Sequence, residues 1–285
     1  MAKEIQVNGV RLQYLEQGSG EPIVFVHGAP SDLRIWEPVR KKIAKRYRFI
    51  AYTQRYFGTK PWPDEGKNFS VTTLADDLAK FITLLNAGPV HLVGWSYGGL
   101  VAVTAAVSDP SLVRSLILYE ATIISVLPAD SPEGKKASED WAKMRGPYVA
   151  AAKAGDFIKA AKLMLEAVFQ LPPGEFDSLP GDWQTWLLDN ARIVPLQLAA
   201  PPPPAITCDM LKDFTRPTLV MRGEKSQAFF TLISEAITKC VPGAQQVILQ
   251  NVNHDGPCPD PAAFTAALIF FLPRGSSSID FSSIH

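Results

Sequence analysis

Apolar positions along the chain fall into short strand-like runs separated by longer amphipathic stretches. The runs Glu4–Val7 and Arg11–Glu16 alternate in polarity and are joined by Asn8-Gly9, which predicts a β-hairpin. Pro22–Val26 is a continuous apolar run, as is typical of a buried strand. Ser70 is a candidate N-cap for a helix. The apolar face of that helix is formed by Leu74, Leu78, Phe81, Ile82 and Leu85.

Strand and helix patterns continue to alternate in two blocks of the chain. The first block adds a helix at Ile35–Ala44, strands at Phe49–Tyr52 and Val90–Gly94, a helix at Leu100–Val107 and a strand at Val113–Tyr119. The second block contains strands at Thr218–Arg222 and Gln245–Leu249 and helices at Phe229–Lys239 and Pro261–Phe271. Such alternation predicts an α/β fold with a mostly parallel central sheet flanked by helices.

The section between the two blocks has a different character. Residues 121–214 are rich in Ala, Leu, Trp and Pro, with helical stretches at 139–154, 156–169 and 183–191 and a stiff connector at Pro201–Pro204. We therefore expect a core of residues 1–120 and 215–273. Residues 121–214 would form a helical cap over the carboxyl ends of the strands, where open α/β sheets bind ligands. The Ser-rich residues 274–285 are expected to be a flexible tail.

Composition and charge narrow the possible functions. The 285 residues carry 28 basic and 28 acidic side chains, so there is no electrostatic reason to expect nucleic acid or an anionic membrane as a partner. We expect neither a signal peptide nor a membrane span. Cys208, Cys240 and Cys258 are odd in number and lack metal-ligand spacing, which favours free thiols in a cytoplasmic protein. No metal site or phosphate loop is present, so no cofactor is implied.

The strongest chemical signal is the segment Gly94-Trp95-Ser96-Tyr97-Gly98. It fits the pattern G-x-S-x-G and lies between a predicted strand and a predicted helix. Small residues on either side of Ser96 permit a tight turn that projects its hydroxyl above the sheet, next to the positive end of the helix dipole. The sequence therefore predicts that Ser96 is a nucleophile. The alternative is a glycine-rich turn with an incidental serine.

A second signal follows the strand Pro22–Val26, in the segment His27-Gly28-Ala29-Pro30. An ester carbonyl under attack becomes an oxyanion, which two aimed backbone N–H groups would stabilise. We expect these to belong to Tyr97 and Ala29, because Pro30 has no N–H. The side chain of His27 is expected to hold the loop by hydrogen bonding rather than to transfer protons.

A general base for Ser96 must come from one of four histidines. His91 lies at the start of the strand that leads to Ser96, His285 is terminal and His27 has been assigned to its loop. His254, in a loop after the strand Gln245–Leu249, is the remaining candidate, because a loop at a strand end can bring an imidazole to the serine hydroxyl. The alternative for His254 is an ordinary exposed loop histidine.

Together these segments resemble the α/β-hydrolase superfamily over nearly the whole chain, up to about Pro273. The matching pieces are HGAP at 27–30, GWSYGG at 94–99, the helical insertion, MRGEKS at 221–226 and NVNHDG at 251–256. The elbow is similar to that of small bacterial carboxylesterases. The resemblance implies an α/β-hydrolase fold with a Ser-His-acid triad.

The acid of the triad departs from the pattern common in that superfamily. Most members place an aspartate after the penultimate strand, where this chain has Ser226. A minority place the acid after the strand that follows the nucleophile helix, and there this chain has Glu120. The resemblance therefore implies Glu120 as the acid. Glu224 is the main rival, and Asp255 is a weaker one because it adjoins His254.

A serine nucleophile favours acyl transfer over dehalogenase or epoxide hydrolase chemistry, both of which use a carboxylate nucleophile. We expect hydrolysis of a small to medium hydrophobic carboxylic ester. Cleavage of a carbon–carbon bond or a lactone by the same triad, or a small-molecule receptor without turnover, remain alternatives. An apolar substrate site is expected to include Tyr56, Trp62, Trp183 and Trp186. The oligomeric state is not indicated.

Overall fold

The centre of the molecule is a single sheet, seen in a computed structural model that describes residues 2–272. In that part of the chain the strands are β1 (Lys3–Val7), β2 (Val10–Gln17), β3 (Pro22–Val26), β4 (Arg48–Tyr52), β5 (Val90–Trp95), β6 (Val113–Tyr119), β7 (Thr218–Gly223) and β8 (Gln245–Leu249). Their order across the sheet is β1-β2-β4-β3-β5-β6-β7-β8. The pairs β1/β2 and β2/β4 are antiparallel and the remaining neighbours are parallel. The sheet confirms the α/β-hydrolase fold.

The burial of each strand explains why the edge strands have alternating polarity in the sequence and the central strand β3 is continuously apolar. All five residues of β3 are buried, so both faces of this strand are covered and its run can be continuously apolar. At the edge, β1 pairs with β2 through Val7 and Val10. Asn8 and Gly9 between them have φ of 43° and 82°. Positive φ at both positions is what a two-residue hairpin turn of type I′ requires, so the predicted hairpin is confirmed.

Ten α-helices accompany the sheet in the described residues. They are α1 (Glu37–Ile43), α2 (Val71–Leu84), α3 (Tyr97–Ser108), α4 (Pro132–Lys153), α5 (Phe157–Phe169), α6 (Gly181–Leu188), α7 (Ile193–Ala199), α8 (Cys208–Lys212), α9 (Ala228–Cys240) and α10 (Pro261–Phe271). Ser70 caps α2 as predicted, because its hydroxyl accepts a hydrogen bond from the N–H of Thr73 at 3.0 Å.

One helix begins later than the sequence pattern suggested. The predicted helix Ile35–Ala44 starts as a 3-10 turn at Leu33–Trp36, and α1 proper begins at Glu37. Pro38 in the first turn of α1 explains the boundary. Proline has no N–H to bond to an earlier carbonyl, so it is accommodated where a helix begins and not within it.

The parallel register brings the carboxyl ends of the central strands to one edge of the sheet. Val26 is opposite Gly94, Trp95 is opposite Tyr119, and Gly223 is opposite Leu249. The segments that follow these strands therefore leave the sheet side by side. Each carries one of the chemical signals found in the sequence.

The helices α4 to α8 lie between β6 and β7 in the chain, within residues 121–214. A small apolar cluster links α4, α5 and α7 through Tyr148, Ala160, Ala161, Met164, Ala191 and Val194. The end of α5 contacts the loop after β8, since the amide of Asn253 donates to the carbonyl of Phe169 at 2.7 Å. Pro201–Pro204 adopts neither helix nor strand, as predicted. The exact division between core and cap stays a prediction.

The cysteines correct one expectation from the sequence. Cys208 and Cys240 form a disulfide that joins α8 to the end of α9, while Cys258 is a buried free thiol. The prediction of three free thiols is therefore wrong for two of them, because residues 32 positions apart meet only in the folded chain. The disulfide also removes the thiol argument for a cytoplasmic protein, and localisation stays a prediction.

Two further expectations concern the membrane and the carboxyl terminus. Within residues 2–272, no helix has the length and apolar character needed to cross a bilayer. The predicted flexible tail, residues 274–285, lies outside the described part of the chain.

Candidate active site

Ser96 occupies a strained turn between β5 and α3. Its φ of 55° and ψ of −123° are unusual for a residue with a side chain. Glycines make the turn possible. A Cβ on Gly94 would lie 2.7 Å from the Cα of Gly99, and a Cβ on Gly98 would collide with the carbonyls of Val26 and His27. The small residues in the motif are therefore required by close backbone packing around Ser96.

His254 reaches Ser96 from the loop after β8. Its Nε2 lies 2.9 Å from the Oγ of Ser96, and the ring is buried. Two aromatic residues fix its position. The indole N–H of Trp95 donates to the His254 carbonyl at 2.9 Å, and the ring of Phe230 stacks on the imidazole with centroids 3.9 Å apart. His254 is thus held in place from two sides.

Glu120 lies directly after β6 and completes the chain of hydrogen bonds. Its Oε2 is 2.7 Å from the Nδ1 of His254, and its side chain is fully buried. The other carboxylate oxygen accepts hydrogen bonds from the N–H of Gly223, at 2.7 Å, and from the hydroxyl of Ser226. Ser226 occupies the position where the resemblance implied an aspartate, and its hydroxyl donates to the carboxylate of Glu120.

The two rival carboxylates lie elsewhere. Glu224 is exposed, and its carboxylate accepts a hydrogen bond from the N–H of Asn251 at 2.9 Å. Asp255 is next to His254 in the chain, and burial raises its pKa to about 6. Among the described residues, Glu120 is the one carboxylate hydrogen-bonded to the imidazole of His254.

The loop after β3 lies against Ser96. A Cβ on Gly28 would be 3.1 Å from the Cβ of Ser96, so this loop passes close to the hydroxyl. Ala29 and Tyr97 border the same cavity as Ser96. Tyr97 is the first residue of α3, so its N–H has no acceptor within the helix. Within residues 2–272 the N–H of Ala29 also has no backbone acceptor. Both donors are available to a ligand.

The side chain of His27 holds this loop. Its Nδ1 lies 2.7 Å from the carbonyl of Gly28, and its Nε2 accepts a hydrogen bond from the N–H of Gln54 at 3.1 Å. Burial lowers the pKa of His27 to about 4, so the ring is neutral near pH 7. A neutral ring with both nitrogens engaged matches the loop-holding role expected from the sequence.

A cavity of about 250 Å³ opens beside Ser96. Core residues and the helices α4, α5, α7 and α9 form its wall, which includes Tyr97, Leu100, Trp141, Arg145, Tyr148, Val168, Gln197, Phe229 and Phe230. A smaller void of about 20 Å³ borders Ser96 and His254 on another side, against Leu165, Phe169 and Leu187. The larger cavity can hold a small, mostly apolar molecule next to the Ser96 hydroxyl.

The four aromatic residues expected at the substrate site line neither of these cavities. Tyr56 and Trp62 line a separate cavity of about 480 Å³, where the indole N–H of Trp62 donates to the carbonyl of Tyr56 at 2.6 Å. Trp183 and Trp186 pack on the hydrophobic core from α6. The structure therefore corrects their placement. Aromatic character alone does not show which side of a helix faces a cavity.

The sequence did contain a signal for part of the lining of the cavity beside Ser96. Trp141, Arg145 and Tyr148 are spaced by four and three residues, so they lie on one face of α4. That face borders the cavity. Phe229 and Phe230 open α9, just after β7, where a residue at the sheet edge can turn toward Ser96.

Comparison with known proteins identifies the family of this chain. The model of the Alpha/beta hydrolase family matches residues 23–268. The chain belongs to the alpha/beta hydrolase family. The matched region includes the elbow around Ser96, Glu120 and His254. Relatives of this alpha/beta hydrolase include a hydrolase and an esterase.

Three similar proteins illustrate the range of the family. A 2-(acetamidomethylene)succinate hydrolase of Mesorhizobium japonicum is 27% identical over 260 residues, covering 89% of this chain and 88% of that protein. An esterase from Exiguobacterium antarcticum superposes with a TM-score of 0.77 at 24% identity, covering 95% of this chain and 99% of that one. A thermophilic esterase from Thermogutta terrifontis gives a TM-score of 0.71 at 25% identity, covering 95% and 97%.

Across residues 2–272, no group of three or more His, Cys, Asp or Glu side chains is arranged to hold a metal ion.

Proposed function

We propose that this alpha/beta hydrolase is a serine hydrolase that cleaves a carboxylic ester of a small to medium hydrophobic substrate through an acyl-enzyme. The observation that carries the proposal is the continuous hydrogen-bond chain from Ser96 through His254 to Glu120. This is the arrangement in which a serine hydroxyl, a base and an orienting acid act together. The apolar wall of the cavity beside Ser96 suits a hydrophobic substrate.

In the first half of the reaction, the Oγ of Ser96 attacks the ester carbonyl and its proton passes to the Nε2 of His254. The carbonyl oxygen becomes an oxyanion, which accepts hydrogen bonds from the N–H groups of Ala29 and Tyr97. When the intermediate collapses, the bond to the leaving alcohol breaks, and the alkoxide takes the proton from Nε2. An ester between Ser96 and the acyl group remains.

In the second half, a water molecule attacks that acyl ester. His254 takes a proton from the water, a second oxyanion forms in the same place, and the proton then returns to the Oγ of Ser96 as the acid product leaves. Glu120 holds the Nδ1–H of His254, which keeps Nε2 free to accept a proton and stabilises the imidazolium. The donors Gly223 and Ser226 fix the other oxygen of Glu120.

A panel of p-nitrophenyl esters from acetate to octanoate tests the proposal. The wild-type protein should turn over many times, and Ser96→Ala should lower kcat by about 10⁴-fold or more. A fluorophosphonate should label Ser96 alone. Ser138→Ala is a matched control, because Ser138 is exposed on α4 and should leave both readouts unchanged.

Two other outcomes would redirect the assignment. A single slow turnover with strong ligand-induced thermal stabilisation would indicate a small-molecule receptor and contradict the proposal. Turnover of lactones or of diketones in place of linear esters, again lost in Ser96→Ala, would keep the triad and change the substrate class.

A further inference from the structure

The wall of the cavity beside Ser96 includes a positively charged side chain that the proposed ester chemistry does not use. Arg145 on α4 borders the cavity and is the one charged side chain in its described lining, which includes no carboxylate. Its side chain is half-buried. Among residues 2–272 it forms no ion pair and no side-chain hydrogen bond. A guanidinium facing a mostly apolar cavity without an anion is electrostatically unbalanced.

Two uncharged donors lie in the same wall. Tyr148 is one turn after Arg145 on α4, and Gln197 is on α7; both border the cavity. Within the described residues neither side chain has a hydrogen-bond partner. Burial raises the pKa of Tyr148 to about 12, and the nearby charge of Arg145 opposes this effect. The phenol therefore stays protonated and remains a donor near the guanidinium.

The shared property of these three groups is donation to an acceptor that the described chain does not supply. A planar guanidinium fork matches the two oxygens of a carboxylate. A single cation balances the single charge of a carboxylate, whereas a phosphate dianion would leave negative charge in an apolar cavity. The remaining wall, which includes Val168, Phe229 and Phe230, suits a short hydrocarbon connection to the Ser96 hydroxyl.

We propose that Arg145 is a specificity-determining residue that binds a carboxylate of the substrate, remote from the bond cleaved at Ser96, with Tyr148 and Gln197 as further donors. The substrate class is then an ester of a carboxylic acid that carries a second, free carboxylate in its acyl or its alcohol part. This inference rests on the proposed function for the cleavage step alone, because carboxylate binding does not require turnover.

Paired esters test the preference. On the acyl side, the mono-p-nitrophenyl ester of glutaric acid is compared with p-nitrophenyl valerate. On the alcohol side, 4-acetoxybutyrate is compared with butyl acetate in a pH-stat. Arg145→Gln should lower kcat/KM for the charged member of the preferred pair by about 10- to 100-fold, as expected for a charge-assisted hydrogen bond. It should change the neutral member by less than about threefold.

Two further variants control for charge and for fold. Lys143→Gln removes the same charge from an exposed position on the same helix and should change neither ester. Arg145→Lys keeps the charge and loses the fork, so its kcat/KM for the charged ester should lie between wild type and Arg145→Gln. Equal losses for the charged and neutral esters in Arg145→Gln would indicate a packing role and contradict the proposal.

A binding measurement separates this inference from the proposed function. Pentanoate and pentanamide are titrated by calorimetry into Ser96→Ala, with and without Arg145→Gln. Pentanoate binding that is lost in the double variant supports the inference even if no ester is hydrolysed. Ester hydrolysis without a charged-ester preference, together with no Arg145-dependent pentanoate binding, overturns it and leaves the proposed function standing.

Discussion

Glu120 is the candidate triad acid both by its position directly after β6 and by its hydrogen bond to His254. It follows β6 with a positive φ of 44°, a conformation that most residues avoid. The turn directs its side chain to the Nδ1 of His254. Ser226, whose place in the sequence suggested a missing acid, supplies a hydrogen bond to Glu120. Strain at a residue with this contact is typical of a functional position.

The contact predicts different effects for two glutamates. Glu120→Gln should lower kcat by about 10³- to 10⁴-fold, because an amide does not stabilise the imidazolium and disturbs the tautomer of His254. Glu224→Gln should change kcat by less than about twofold, because Glu224 is exposed and the amide oxygen can still accept from Asn251. Steady-state kinetics with far-UV circular dichroism as a folding check would decide. The reverse order of effects would contradict the assignment of Glu120.

The glycine two residues after Ser96 gives a second prediction. Gly98→Ala places a Cβ against the carbonyls of Val26 and His27, so the backbone must shift. That shift displaces Ser96 relative to Ala29, and we expect kcat to fall by about 10²-fold. Gly181→Ala is the matched control, because Gly181 is exposed at the start of α6 and a Cβ there meets nothing within 4 Å. The control should keep its activity and gain up to about 1 kcal/mol in the free energy of unfolding, measured in urea.

At the scale of elements, local patterns predicted most of the fold. β3 and β6 have the bounds expected from their apolar runs, and α2 begins at its predicted cap. The positions of Ser96, Glu120 and His254 were also predictable from the sequence, because each follows a strand and parallel strands end at one edge of the sheet. The cavity lining was predictable only in part, through the spacing of Trp141, Arg145 and Tyr148 on one face of α4. It depends on how α4, α5 and α7 turn their faces, and tertiary packing decides this.

The disulfide between α8 and α9 was not predicted from the sequence for the same reason, because tertiary packing brings its two cysteines together. It joins the last helix before β7 to the helix that carries Phe229 and Phe230. Cross-linking residues 32 positions apart restricts the unfolded chain. Cys208→Ser with Cys240→Ser should therefore lower the free energy of unfolding by about 3 kcal/mol.

Chemical denaturation of the double variant and of the reduced wild type would measure this effect. Cys258→Ser is the matched control for the loss of a thiol. Because it keeps the disulfide, reductant should lower its free energy of unfolding by the same amount as in wild type. Equal stability of oxidised and reduced wild type would contradict the prediction.

At the scale of the whole molecule, the burial of His27 links the free energy of unfolding to pH. Burial lowers the pKa of His27 to about 4 in the folded protein, from the ordinary histidine pKa of about 6.5 that applies in the unfolded chain. Between these values the unfolded chain binds more protons than the folded one. Stability is therefore fully present above about pH 6.5 and is lost as pH falls toward 4. The full loss from this residue is about 3 kcal/mol.

His27→Gln removes the titrating group and keeps a side chain that can hydrogen-bond. The decrease in the free energy of unfolding between pH 7 and pH 5 should be smaller in this variant than in wild type by about 2 kcal/mol, which is the part of the His27 linkage that falls in this interval. Urea denaturation at both pH values gives the comparison. His91 also has a pKa lowered by burial, so the variant should keep some pH dependence. An unchanged difference between pH 7 and pH 5 would show that His27 accepts a proton in the folded protein as readily as in the unfolded chain.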